Sequence, residues 1–243
     1  MKCVILAAGY ATRLYPLTKN FPKPLLPVAG KPIAQWLTED LDGTVDGFAV
    51  VTNHRFADHF RAWAAAVPQP VTVVDDGTES NETRLGAVRD IQYTLEALKI
   101  DGDCLVMAGD NMLDFSLKGF VEYARGCGTS AVMCHEETRL EALQKTAVIT
   151  VGPDGVITSY EEKPREPKGH LAVPPFYYYR AGDLERIPEA LDNGCGADAP
   201  GSLAAWLSKR TPMHAYQMPG RRYDIGDLAG YERVQALWQE KML

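Results

Sequence analysis

Four short apolar runs bounded by turn residues mark the first half of the chain: Lys2 to Ala7, Gly47 to Thr52, Val71 to Val74 and Cys104 to Ala108. Runs this short and unbroken predict strands buried on both faces. Between them, Ile33 to Leu41, Arg55 to Ala66 and Gly86 to Leu98 read as helices. Alternation of strand and helix predicts parallel strands joined by crossover helices. In such sheets a ligand lies outside the carboxyl ends of the strands, where strand order reverses.

Beyond residue 130 the rhythm changes. Ser130 to Cys134, Ala147 to Val151, Val156 to Tyr160 and Phe176 to Tyr179 read as strands, and Gly152-Pro153-Asp154-Gly155 as a hairpin turn. Helices are expected at Leu184 to Leu191 and Ser202 to Ser208, a strand near Met213 to Gln217, and a closing helix from Leu228. The expected fold class is α/β: a Rossmann-like, mostly parallel sheet flanked by helices, with antiparallel strands laid over it by the second half. No repeat or linker interrupts residues 1–243, so one domain is expected, with residues 1–130 and 131–243 as its halves.

Composition narrows the function classes. With 25 Lys+Arg against 32 Asp+Glu the formal net charge is −7. An acidic surface repels phosphate backbones and anionic headgroups, so neither a nucleic acid nor a membrane is an expected partner. No apolar run approaches the roughly 18 residues of a membrane span. Cys3 to Ala8 is too short for the core of a secretion signal, and a cytoplasmic protein is expected. Five scattered cysteines without Cys-x-x-Cys spacing read as reduced thiols.

Against that acidic background one stretch concentrates cations. Residues 6–30, LAAGYATRLYPLTKNFPKPLLPVAG, follow the first strand directly. Gly9 lets the backbone approach a ligand, and successive N–H groups in such a turn form a concavity for phosphate. Arg13 brings a planar fork for phosphate oxygens; Lys23 brings a point charge held between Pro22 and Pro24. A preorganised cation loses less entropy when it meets its ligand. The plainer reading is a solvated loop, and in either case Lys23 is expected to add little packing. The stretch matches neither G-x-x-x-x-G-K-[ST] nor G-x-G-x-x-G.

Gly9-x-Ala11-Thr12-Arg13-Leu14-x-Pro16-Leu17-Thr18, followed by Pro22-Lys23-Pro24-Leu25, resembles the signature loop of the sugar-1-phosphate nucleotidyltransferases, which include the glucose-1-phosphate thymidylyltransferases. Ala11 departs from it, standing where a second glycine is commonest. The resemblance implies that the loop wraps a nucleoside triphosphate, with Leu6, Ala8, Gly9, Thr12, Arg13 and Lys23 at the nucleotide. Three further stretches match. VMAGDNMLD sets Asp110 just past an apolar strand, and RRYDIGD sets Asp224 after a short β-like segment. Each aspartate alone reads equally as a cap or turn residue. Together they are similar to the family's two metal-binding aspartates, which implies Mg2+ as the cofactor and Asp110 near the nucleotide. YEEKPRE sets Glu162 and Lys163 on the family's E-K-P, whose lysine reaches the acceptor's phosphate; a solvated charge run is the alternative. Leu85-Gly86-Ala87 resembles an L-G-[TA] turn, implying Gly86 at the nucleobase.

The resemblance runs from residue 2 to about residue 235 and thins at the acceptor. Where hexose-1-phosphate enzymes usually have Tyr-Gly, this chain has Thr146-Ala147; where they tend to have a glycine before an aromatic strand, it has Pro174-Pro175-Phe176-Tyr177. Proline has no N–H to offer a sugar hydroxyl. Tyr177 is expected among the acceptor contacts, although alternation puts Tyr177 and Tyr179 on one face and Phe176 and Tyr178 on the other and does not decide which pair meets the ligand. With Tyr179 on the same strand face, Tyr177 points to a cation–π cage should the acceptor carry a quaternary ammonium.

The function implied is transfer of an NMP from a pyrimidine NTP (dTTP, UTP or CTP) to a phosphorylated acceptor, most simply a sugar 1-phosphate, releasing pyrophosphate. Arg13, Lys23 and Lys163 are its expected catalytic cations, residues 1–130 its nucleotide-binding half and 131–243 its acceptor-binding half. Two alternatives stand beside it. One is a cytidylyltransferase for a phospho-alcohol or phospho-amine such as phosphocholine; the other is a non-catalytic subunit that binds nucleotide sugars. A dinucleotide oxidoreductase is disfavoured, since the third glycine of its fingerprint is missing.

Overall fold

The apolar runs of the first half become the parallel centre of one large sheet. A computed structural model describes residues 1–242. Strand β1 (Lys2–Leu6) leads into a long loop with two 3-10 turns, Thr12–Leu14 and Lys23–Leu25, and then a small hairpin, β2 (Pro27–Val28) and β3 (Lys31–Pro32). There follow α1 (Ile33–Asp40), β4 (Phe48–Thr52), α2 (Ala57–Ala66), β5 (Val71–Asp75), α3 (Ala87–Leu98) and β6 (Cys104–Ala108). The short strand β7 (Asn111–Leu113) and α4 (Lys118–Cys127) close the first half.

The second half begins with β8 (Ser130–Glu136), α5 (Leu140–Leu143), β9 (Ala147–Val151), β10 (Ile157–Glu162), β11 (Leu171–Val173) and β12 (Phe176–Tyr179). It continues through α6 (Ala181–Leu184), α7 (Ile187–Asp192), α8 (Gly201–Leu207), β13 (Met213–Gln217), β14 (Arg222–Asp224) and α9 (Leu228–Met242).

The sheet order is β10-β9-β11-β8-β12-β6-β1-β4-β5, with β13 also paired to β8. β5, β4, β1 and β6 run parallel, Cys3 lying beside Phe48 on one side and Leu105 on the other. The chain leaves β1 in one direction for β4 and in the other for β6, so strand order reverses at β1. That reversal opens a crevice beyond Leu6 and Ala108. Strand alternation gives each face its own core. Val4, Val51 and Val106 meet Val88 and Ile91 of α3 on one side. Cys3, Ile5, Val50 and Leu105 meet Leu37 of α1, Phe60 of α2 and Phe120 of α4 on the other. No helix among the described residues is long and apolar enough to cross a membrane.

Beyond short elements that the sequence did not suggest (β2, β3, β7, α5 and β11), three features differ from the sequence expectation. The antiparallel strands do not lie over the sheet; β12 pairs with β6, so they prolong the same sheet. The helix expected over Leu184 to Leu191 is broken in two, because Pro188 has no N–H for a helix interior and instead occupies the first turn of α7. α4 was not anticipated, although Phe120, Val121 and Ala124 share one buried face and Gly128 ends the helix with a positive φ of 68°.

One buried acid has a measurable consequence. Asp90, in the first turn of α3, is 6% exposed, and its Oδ1 has no hydrogen-bond partner. Burial, aided by the charge of Asp76, pushes its pKa up to about 7. The folded chain therefore keeps a proton that the unfolded chain releases near pH 3.9. Stability from this group is full below about pH 4 and is lost as pH rises through 7. Asp90→Asn should be more stable than the parent by about 4 kcal/mol at pH 8 and close to it at pH 4, by denaturant titration. An identical difference at both pH values would show that Asp90 does not titrate in this range.

Candidate active site

The loop after β1 is braced from three sides. Asn53, fully buried at the end of β4, donates from Nδ2 to Ala8 O at 2.9 Å and accepts from Phe56 N–H at 3.1 Å. Thr18, 1% exposed, donates its hydroxyl to Ala11 O at 2.8 Å. The closing helix supplies the third brace: Gln235 accepts from Ala29 N–H at 2.9 Å and Tyr231 donates to Pro27 O at 2.6 Å. Val234 and Trp238 of that helix pack with Leu14 and Leu26 of the loop. Ala11, which stands where the signature loop it resembles commonly has a second glycine, has φ 45° and ψ 45°. A left-handed residue strains an alanine and not a glycine, which explains the usual preference at this position.

At the crevice the loop meets the end of β6. A side chain at Gly109 would stand 2.8 Å from Ile5 and 3.3 Å from Pro24, so only a glycine lets the Pro-Lys-Pro segment pack there. Lys23 Nζ lies 2.7 Å from Asp110 Oδ2. Lys23 is not the solvated lysine of the plainer reading, and the expectation that it adds little packing is corrected: it is 8% exposed. Burial of an ammonium group requires a partner, and Asp110 supplies it.

Asp224 arrives from the far end of the chain. β14 pairs antiparallel with β7, with Asp224 opposite Asn111, one residue beyond Asp110. Asn111, 1% exposed, donates to Asp110 Oδ1 at 2.8 Å and accepts from Arg222 Nη1 at 2.6 Å. Asp110 and Asp224 line one cleft of about 850 Å³ together with Arg13, Lys23, His135 and Arg222. An adjoining hollow of about 190 Å³ is lined by Leu6, Gly9, Arg13, Lys23 and Asp110. Two carboxylates lining one cleft with several cations supply oxygen donors of the kind that suits a small hard cation held jointly with phosphate.

The remaining expected site residues lie outside both lined spaces. Ala8 and Thr12 belong to the loop without facing either hollow. Gly86 has φ 91°, and a Cβ on it would stand 2.7 Å from Ala197 O. The first amides of α3 bond the same segment, Val88 N–H reaching Ala197 O at 2.9 Å. Lys163 is exposed at the cleft's margin, where its N–H donates to Thr146 O at 3.1 Å. Glu162 is partly buried against Gly201 with Oε2 unpartnered, and burial raises its pKa.

Tyr177 is placed differently from its expected role. It is 2% exposed and stacks on Tyr179 in the core, ring centroids 5.7 Å apart. Phe176 and Tyr178 are buried in the core of the opposite face. Both faces of β12 are covered, so the tyrosines do not form a cage open to the cleft. Period-two alternation separates the pairs but cannot reveal that both faces are buried.

A family model described as nucleotidyl transferase matches residues 2–241. The chain belongs to that family. It is 31% identical over 249 residues to the UTP–glucose-1-phosphate uridylyltransferase AglF of Haloferax volcanii, covering 99% of this chain and 98% of that protein. It is also 31% identical over 233 residues to mannose-1-phosphate guanylyltransferase catalytic subunit beta of Drosophila pseudoobscura pseudoobscura, covering 93% and 59%. Among solved structures, UDP-glucose pyrophosphorylase complexed with UDP-glucose matches with a TM-score of 0.82 and 25% identity, covering 99% of this chain and 98% of that one. Some relatives are longer: the chain spans only 36% and 51% of the length of two of them.

Three residues of this nucleotidyl transferase family member escaped sequence reasoning: Asn53, Asn111 and Arg222. Asn111 and Arg222 sit inside the motifs that carry Asp110 and Asp224, but only the β7–β14 register brings them together. Gly86→Ala would test the packing of α3 on the Ala197 segment, since the new methyl meets a carbonyl and the backbone keeps a positive φ. A loss of about 2 kcal/mol, a fall of roughly 4–8 °C for a chain of this size, is expected by calorimetry. An unchanged melting temperature would mean that the segment yields freely.

Proposed function

We propose that the protein transfers a nucleoside monophosphate from a nucleoside triphosphate to a phosphorylated small-molecule acceptor, a sugar 1-phosphate in the first instance, releasing pyrophosphate. The observation that carries this reading is the pairing of buried Lys23 with partly exposed Asp110 in a cleft that Arg13 and Asp224 also line. A triphosphate needs cations that stand in place before it arrives, and a rigid proline-flanked loop braced by Asn53, Thr18 and α9 keeps them there. The uridylyl transfer named for AglF favours a pyrimidine base; the guanylyl transfer named for the other relative makes GTP the control.

In this reading residues 1–130 hold the nucleotide and 131–243 the acceptor, with Asp224 returning to the nucleotide side. An oxygen of the acceptor phosphate attacks the α-phosphorus, the bond from that phosphorus to the β-bridging oxygen breaks, and pyrophosphate departs. The acceptor phosphate is already anionic, so neither a general base nor a covalent enzyme intermediate is needed. Arg13 and Lys23 receive the β- and γ-phosphates. Asp110 and Asp224 hold Mg2+, which when bound neutralises phosphate charge. Lys163, at the margin beside Thr146, meets the acceptor phosphate. The site lies in a chain of ordinary acidic composition acting in the cytoplasm.

A matrix of four NTPs with magnesium against phosphorylated acceptors, read as pyrophosphate, tests the proposal. Turnover with UTP or dTTP ahead of GTP is expected; release from none of the combinations would refute it. Asp110→Asn and Asp224→Asn should each lower kcat by about 10²–10³, while circular dichroism still shows the parent's fold. Near-parental rates at saturating magnesium would remove that aspartate from the metal site.

A further inference from the structure

The cleft is lined by two unlike sets of residues. One is formed by Thr146, Pro174 and Pro175. The prolines have no N–H, and the neighbouring donors are engaged: Ala108 N–H with Pro175 O at 3.1 Å and Phe176 N–H with Pro174 O at 2.7 Å. The Thr146 hydroxyl donates to Val173 O at 3.1 Å. This set has few donors left for a neutral hydroxyl.

The other set is rich in cations. Arg222 and Asp224 are two residues apart on β14 and so share a face. The Arg222 side chain is 22% exposed, and Nη1 donates to Asn111 Oδ1 at 2.6 Å. Its nearest carboxylate, Asp224, is 3.9 Å away, beyond hydrogen-bond reach. A guanidinium carries five N–H donors, and this one has a single hydrogen-bond partner among the described residues. Lys145 and Arg221, both exposed on the same cleft, have no carboxylate within ion-pair distance among those residues.

Glu136, exposed on the same cleft and without an ion pair among the described residues, offsets one cation, and the remaining cations still exceed what one reacting phosphate requires. Lys23 is paired with Asp110, and Arg139 is held bidentate by Glu137 at 2.8 and 3.1 Å. Arg13 belongs to the triphosphate. Once Asp224 is committed to a metal, Arg222 has no free carboxylate of its own. A partly buried arginine fork with unused donors is a receptor for a carboxylate or phosphate.

We propose that the acceptor carries a second anionic group besides the phosphate that reacts, and that Arg222 receives it. The inference rests on the nucleotidyltransferase reading and narrows its acceptor to acidic phosphorylated compounds. Arg222 is then a specificity-determining residue. If it served only to position Asn111, and through it Asp110, its loss would slow every acceptor alike.

Three acceptors that differ at a single carbon separate these roles: glucose 1-phosphate, glucuronate 1-phosphate and glucose 1,6-bisphosphate, each assayed with UTP and magnesium by pyrophosphate release. At least one of the two acidic compounds should exceed glucose 1-phosphate in kcat/KM by about tenfold or more. Which of them leads tells a carboxylate from a second phosphate. Arg222→Met should bring the ratio close to one, mainly through KM, and Arg222→Lys should restore part of it. Equal efficiency on all three, or a uniform loss in Arg222→Met, would overturn the inference. Should none react, calorimetry measures their binding to the protein preloaded with magnesium and a non-hydrolysable UTP analogue. Binding of an acidic compound that Arg222→Met abolishes supports the inference; no preference for the acidic pair overturns it. Failure of the analogue itself to bind would overturn the nucleotidyltransferase reading instead.

Discussion

A lysine buried in the loop after β1 needs a carboxylate beside it, and much of the site follows from that requirement. Lys23 stands 2.7 Å from Asp110, joining the loop after β1 to the end of β6 across the strand-order reversal. The pair sets a buried cation against a partly exposed anion in the place where a triphosphate and a metal would each take one of them. Gly109 lets the two segments approach, and Asn111 holds the other oxygen of Asp110 at 2.8 Å. Charge placement precedes ligand binding, so little reorganisation remains for the reaction itself.

The rest of the fold serves this junction. Parallel strands bring β1 and β6 side by side, and their unbroken apolar sequences follow from helices covering both faces. The second half does not simply add an acceptor pocket. β14 returns to β7 and sets Asp224 opposite Asn111, while α9 packs Trp238 against Leu14 and Met112. Both ends of the chain therefore share one small core beneath the loop.

Much of this was legible in the sequence. The run Cys104 to Ala108 matches its strand residue for residue, because an apolar segment between turn residues has few other options. The loop and the two aspartates stood out because glycine, proline and charge in fixed order are uncommon by chance. Burial of Lys23 was hidden, since its partner lies 87 positions away. Tyr177 was misread because alternation assigns faces without saying what covers them. Asn111 and Arg222 gain meaning only from the pairing of β7 with β14, a register that neither segment specifies alone. The break before Pro188 could have been read from the proline itself.

The interaction on which the account depends can be measured by a double-mutant cycle on Lys23→Met and Asp110→Asn, with denaturant stability and calorimetric UTP–magnesium binding determined for all four proteins. The account predicts a coupling of about 1 kcal/mol or more in stability and loss of tight UTP binding in both single variants. Additive stabilities together with unchanged UTP affinity would contradict it.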